Sequence, residues 1–258
     1  MATKDNQGRA ALLVGNEGPL ASAIADRLRS QGMTVLHGMD GKALLDDADR
    51  RGLTPGILVL AFDDASSEPL ADLTDDQLMT LVDRQLKTGV AAVRDTLERM
   101  READYGRIVA CVPSSGLFGT DRGVAQALIA SALTTLIKGV AIGNLDRNIC
   151  ANILSYIAAT PATTGLFEDH PILDPSLFAV DMVVPAVTYL TREECALNGE
   201  VVSAGAGRFA KVVLSVTLGG FAIPADEEIF AALLPRITDT RSTFAPRTVV
   251  DELITIAV

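Results

Sequence analysis

Apolar residues in this chain gather in short unbroken runs, and between the runs they return every third or fourth position. Residues 10–14 (AALLV), 33–37 (MTVLH), 56–62 (GILVLAF), 107–112 (RIVACV) and 150–156 (CANILSY) have strand length and are bounded by turn residues. Runs that are apolar throughout, rather than alternating, predict strands covered on both faces. The stretches between carry the helical period. Residues 21–31 place Ile24, Ala25 and Leu28 on one side, and 41–53 make a short helix with its connections. Residues 75–102 form a long amphipathic helix with Leu78, Leu81, Val82, Leu86, Val90, Val93, Leu97 and Met100 on its apolar side. Further helix is expected at 181–189 and a last strand of the series at 199–204. This alternation predicts an α/β fold with one doubly wound parallel sheet and helices on both faces, spanning 1–258 as a single domain. Residues 224–258 read as a C-terminal docking tail with a short helix at 226–234.

One helix departs from the amphipathic pattern. Residues 123–143 are apolar on nearly every face, interrupted only by Gln126, Ser131, Thr134, Thr135 and Lys138. A helix apolar all round is buried. At the surface of an α/β domain this implies packing against another subunit.

Composition narrows the partners. A net charge of -11 and a pI near 4.6 disfavour nucleic acid and anionic membrane surfaces. With no Trp and 4% aromatic residues there is little for base stacking. Cys111, Cys150 and Cys195 are odd in number and dispersed, so free thiols in a reducing compartment are expected. His37 and His170 lack a second ligand at metal spacing, and no metal is expected. The opening MATKDNQGRAALLVG has no apolar run before a cleavage site. No run reaches the roughly 18 apolar residues of a membrane span. The expectation is a soluble cytoplasmic protein.

The most specific pattern lies in residues 106–152, GRIVACVPSSGLFGTDRGVAQALIASALTTLIKGVAIGNLDRNICAN. It resembles the short-chain dehydrogenase/reductase family, whose wording is close to GRIVNVSSSAGLFG, a tyrosine-containing helix ending TKTLA, and NIRVNAIAPG. Gly106, Arg107, Ile108, Val109, the run Gly116 to Gly119, Lys138, Ala141, Asn148, Ile149 and Asn152 are retained at ungapped intervals. In that register the family's catalytic serine falls on Pro113, its tyrosine on Gln126 and its lysine on Ala130. The family's proton-relay asparagine falls on Gln85. In the family the phenol exchanges a proton with the substrate oxygen, the ammonium lowers the phenol's pKa, and the serine hydroxyl bonds the reacting oxygen. Pro113 has no donor, Gln126 does not titrate and Ala130 carries no charge. The resemblance therefore implies no catalytic residue in this chain. Tyr156, where the family has proline, is a weak candidate for a replacement acid, because a phenol without a neighbouring cation stays near pKa 10.

The cofactor motifs are eroded in the same way. The family's Rossmann fingerprint is close to ALVTGASRGIGRAIA, and here residues 11–25 keep only Gly15, with Pro19 and Ala21 at the other two glycine positions. Pro19 removes an N–H that would face a pyrophosphate, Ala21 adds a Cβ, and Glu17 adds repulsion. At about 5 Å and an effective dielectric near 20 that repulsion is on the order of 3 kcal/mol per charge pair. The family's ribose-binding aspartate falls near Met39, with Asp40 one residue on. Its NNAG after the third strand is here residues 60–63, LAFD, where Phe62 either fills cofactor space or packs in the core. Residues 158–171 correspond to the family's substrate lid. The resemblance implies no cofactor in this chain.

The two long helices match the pair that builds the family's four-helix dimer interface. The stretch after the 199–204 strand also resembles the hydroxyacyl-CoA dehydrogenases of the multifunctional-enzyme branch of β-oxidation. These resemblances imply a non-catalytic subunit paired with an active short-chain dehydrogenase paralogue in a heterotetramer. The partner would hold NAD and oxidise a β-hydroxyacyl-CoA, in aromatic (toluene) degradation. Two alternatives stay open: an active oxidoreductase with displaced acid-base residues, and a regulatory Rossmann protein binding another ligand in the cleft.

Overall fold

The computed structural model describes residues 8–64, 68–170, 172–223 and 226–257. The chain divides into two compact units, Met1–Lys211 and Val212–Val258. The second unit thus begins ahead of the tail expected from Pro224, a residue outside those described.

The first unit is built on one sheet. Its strands are β1 (Arg9–Val14), β2 (Thr34–Gly38), β3 (Thr54–Ala61), β4 (Gly106–Pro113), β5 (Ile149–Tyr156), β6 (Val201–Gly205) and β7 (Arg208–Val212). Their order is 2-1-3-4-5-6-7, and the first six are parallel. The classic doubly wound order is 3-2-1-4-5-6. One strand fewer lies beyond β1 here, because the link from β2 to β3 holds only α2 (Gly41–Arg50). β6 and β7 are joined through Ala206 (φ 48°) and Gly207 (φ 75°), the paired left-handed residues of a tight hairpin.

The helices divide between the two faces. On one side Leu13, Val59, Val109 and Leu154 pack with Leu20, Ile24 and Leu28 of α1 (Pro19–Ser30) and with Val184 and Val187 of α8 (Val184–Leu190). Leu12, Leu58, Leu60 and Ile108 alternate with these and are also fully buried, which requires cover on the second face. That cover comes from α2, α4 (Thr88–Glu102) and α6 (Val124–Ile142).

Element ends differ from the sequence expectation for local reasons. α1 starts at Pro19, whose missing donor costs nothing in a first turn. α8 starts at Val184, later than expected, with Pro185 in its first turn. The long helical stretch from 75 is not uniform: α3 (Asp75–Leu81) passes through a π-helical segment, Val82–Lys87, into α4. The stretch between β4 and α6 contains a short helix, α5 (Ser115–Phe118), and the lid segment contains α7 (Thr164–Asp169). Pro171, the end of that segment, lies outside the described residues.

α6 corrects one expectation. At 19 residues and a mean hydropathy of 1.6 it is long and apolar enough to cross a membrane. Here it lies on β4 and β5, burying Ile129, Leu133, Ile137 and Val140, as the core helix of an α/β sheet does.

The second unit contains α9 (Glu227–Ile237), α10 (Val249–Ala257) and a short antiparallel pair, β8 (Val216–Thr217) with β9 (Thr243–Phe244). α9 runs past the expected end at 234. Asp226 caps it, accepting from the Ile229 N–H at 2.8 Å. The pair and α10 are features the sequence pattern did not suggest.

Candidate functional site at the switch point of the sheet

In open α/β sheets, ligands sit beyond the carboxyl ends of the strands where the order reverses. Here that point lies between β1 and β3. Gly15 directly follows β1 there. A Cβ on it would lie 1.8 Å from the Ala61 carbonyl oxygen, so the close approach of the two strands alone requires glycine.

The next residues close the crevice with their own side chains. The Asn16 amide donates to the Asp63 carbonyl at 3.1 Å and accepts from the Asp63 N–H at 2.8 Å. The Asp63 carboxylate turns toward the start of α1, with one oxygen 3.5 Å from where a Cβ of Gly18 would lie. It accepts from the Thr160 hydroxyl at 3.0 Å, and the Tyr156 phenol lies close to it. A helix N-terminus at a switch point is where the fold holds a pyrophosphate. In this chain a carboxylate of its own stands there. Burial pushes the Asp63 carboxyl above the usual carboxylate range, against the pull of the Thr160 bond. Glu17, by contrast, is exposed, so its repulsion is screened and the buried charge is the one that matters.

Tyr156 is 4% exposed and packs with the α1 and α8 layer. Burial first, and the nearby Asp63 charge second, push its phenol well above 10. It holds its proton more firmly than the ordinary value suggested. By strand register it stands beside Pro113, the last residue of β4.

The four positions aligned with the family's catalytic group lie on and around α6. Gln126 and Gln85 do come together, as a reciprocal amide pair. The Gln126 Nε2 donates to Gln85 Oε1 at 2.9 Å, and Gln85 Nε2 donates to Gln126 Oε1 at 3.0 Å. The second hydrogen of Gln85 Nε2 goes to Asp64 at 2.9 Å, and Asp64 is paired with Arg84 at 3.1 Å. Gln85 is 1% exposed and lies in the π-helical segment. Its amide group is thereby fully engaged within the protein.

Ala130 is 1% exposed and packs under α5. A Cβ on Gly116 would lie 2.4 Å from the Ala130 Cβ, and the Ser131 hydroxyl donates to the Gly116 carbonyl at 2.6 Å. Phe62 is 3% exposed and lies near Gly89 of α4, which places it in the core, as one of the two readings held. Asp40 is the N-cap of α2, accepting from the Ala43 N–H at 3.0 Å, a structural use for the residue beside the ribose position.

His37 lies in β2 with a buried, unpartnered Nε2, and His170 follows α7. Among the described residues no three His, Cys, Asp or Glu side chains gather as a metal site. The three cysteines are free, and burial pushes the Cys111 thiol up to about 12. The residues that sequence reasoning missed are Asn16, Asp63 and Thr160. Asp63 and Asp64 directly after a buried strand were the available signal, since a strand's carboxyl end faces the ligand crevice.

No family model matches the sequence. A Mycobacterium tuberculosis protein described as a putative short-chain type dehydrogenase/reductase is 34% identical over 58% of this chain and 52% of its own length. The Drosophila melanogaster peroxisomal multifunctional enzyme type 2 is 30% identical over 54% of this chain and 23% of its own length. The chain thus matches about half of the first relative and about a quarter of the second. The solved structure of that Drosophila enzyme superposes with a TM-score of 0.75 over 96% of this chain and 48% of its own, at 17% identity. Over the matched segments the chain is similar to short-chain dehydrogenases/reductases, and the seven-stranded sheet with helices around it is the Rossmann-like α/β fold that it shares with these solved structures.

Proposed function

We propose that this chain is a non-catalytic subunit of a hetero-oligomeric, NAD-dependent short-chain dehydrogenase, and that it holds no dinucleotide itself. The observation that carries this reading is the Gln85–Gln126 pair. The two positions that would relay a proton in the family are occupied by amides that bond each other and do not titrate. Ala130, at the lysine position, is packed beneath Gly116. At the cofactor end the Asp63 carboxylate faces the start of α1, where a second anion would be repelled.

The surface of α6 supports a partner. Leu128, Ser131, Thr135, Gly139 and Ile142 are exposed, follow helical spacing and include no charge. Leu128 is 53% and Ile142 44% exposed, an uncharged stripe suited to a facing helix. An active paralogue seated there in a heterotetramer would be stabilised by this chain. By the sequence resemblance, the partner oxidises a β-hydroxyacyl-CoA, as in the hydroxy(phenyl)methyl-succinyl-CoA dehydrogenase of anaerobic toluene degradation.

Native mass spectrometry of the assembly isolated from its source tests this. A mixed oligomer, with nucleotide counted only for the partner chains, is the expected result. A homo-oligomer carrying one nucleotide per chain would overturn the proposal.

A further inference from the structure

Two cysteines far apart in the chain meet at the end of the sheet away from the crevice. Cys150 is the second residue of β5 and stands beside Arg107 of β4 by strand register. Register partners in a parallel pair point to the same face, and Asn152 follows Cys150 by two, so Arg107, Cys150 and Asn152 share one face. It is the face covered by α1 and α8, where Leu154 also packs. The connection from α8 to β6 crosses this face and is held on either side of Cys150. Arg107 donates to the carbonyls of Arg192 at 3.0 Å and Glu193 at 2.9 Å. The Asn152 amide donates to the Leu197 carbonyl at 2.7 Å. Cys195 stands midway between those anchored carbonyls, is 2% exposed and packs in the same buried cluster. Cys150 stands between the two anchoring side chains, so the crossing segment brings Cys195 over it.

We propose that Cys150 and Cys195 are a redox-responsive pair, which closes to an intramolecular disulfide when the chain meets a hydroperoxide. Both are free thiols in this structure, and Cys150, the less buried, meets the oxidant first. Its sulfur attacks one peroxide oxygen. The O–O bond breaks, a sulfenic acid forms and, with hydrogen peroxide, one water leaves. The Cys195 sulfur then attacks the sulfenyl sulfur. The S–S bond forms, the S–O bond breaks, and the hydroxyl leaves with the Cys195 proton as a second water. The two thiols lose two electrons and the peroxide gains them. Burial pushes the Cys195 thiol up; the Leu197 N–H and the Arg107 guanidinium pull the other way, and Cys150 is near enough to push it up further. The hydrogen bonds of Arg107 go to carbonyls and to the Asn148 amide oxygen, so no bonded carboxylate cancels its charge beside the pair. Cys111 provides the internal control: it lies four residues beyond Arg107 on β4, roughly 13 Å along the strand, fully in the core. This inference does not rest on the proposed function.

The test treats the reduced full chain with hydrogen peroxide under native conditions, blocks the remaining thiols as the chain is unfolded, and maps the peptides without reduction. A peptide pair joined through Cys150 and Cys195 is expected, lighter by two hydrogens than its separate parts and opened by dithiothreitol, with Cys111 recovered as a blocked thiol. In Cys195→Ser the sulfenic acid on Cys150 should persist and take up dimedone. In Cys150→Ser the rate of peroxide consumption should fall at least tenfold, with Cys195 recovered as a thiol. Absence of the joined peptides from the oxidised native chain, their formation only when peroxide is added to unfolded chain, or oxidation of Cys111 at the same rate would overturn the proposal.

Discussion

Restoring the family's lysine at Ala130 should damage this protein instead of reviving it. The position is 1% exposed, and Gly116 lies so close that its own Cβ would come within 2.4 Å of the Ala130 Cβ and 3.1 Å of the Ala130 carbonyl carbon. Three further side-chain carbons and a nitrogen must displace α5 or distort α6, an overpacking cost of about 1–3 kcal/mol. The ammonium adds several kcal/mol if it stays charged without a partner, or loses its proton instead. A total of about 4 kcal/mol is a large part of the roughly 5–15 kcal/mol that holds a domain folded. For a unit of this size it corresponds to a fall of about 10 °C in Tm. Ala130→Met separates the terms, since it carries the bulk without the charge and should lose about 1–3 kcal/mol. Thermal unfolding followed by circular dichroism measures all three proteins. The triple variant P113S/Q126Y/A130K should show no NAD-dependent oxidation. Wild-type unfolding by Ala130→Lys, or turnover by the triple variant, would refute the reasoning, because either would mean that the space beneath Gly116 is not closed.

Gly15→Ala should lower stability by at least about 3 kcal/mol in urea titrations without nucleotide, because the new Cβ meets the Ala61 carbonyl oxygen. Asp63→Asn should tighten binding of NAD or ADP at least tenfold by calorimetry, since one charge near a pyrophosphate is worth about 3 kcal/mol at most. The same variant should change the pH dependence of stability. Because the folded Asp63 pKa is raised by burial, its contribution is fully present below the unfolded value of about 3.9 and is lost as pH rises through the folded value. The stability of Asp63→Asn relative to the parent should therefore grow as pH rises from about 4 toward neutrality. Ala206→Gly should stabilise the β6–β7 hairpin by about 1 kcal/mol in the same titrations, because residue 206 has a φ of 48°.

The sequence by itself determined the layered α/β fold, because runs such as residues 56–62 and 108–112 are apolar without alternation, have strand length and alternate with segments of helical period. It also located the replaced positions Pro113, Gln126 and Ala130, since an ungapped register is a linear property. Tertiary structure decided what those replacements do. Gln85 and Gln126 lie far apart along the chain, and only the packing of the π-helical segment beside α6 makes them a pair. Asp63 read as a substituted turn residue; beside Asn16, Gly18 and Thr160 it becomes a charge at the start of α1. Gly15 read as a remnant of a phosphate loop, yet the approach of β1 to β3 requires it without any phosphate. The second unit shows the same division. Its helical period at 226–234 was legible, but the exposure of its apolar residues depends on what packs against them, which no local pattern records. Periodicity reports which residues seek cover; the fold determines which neighbours provide it.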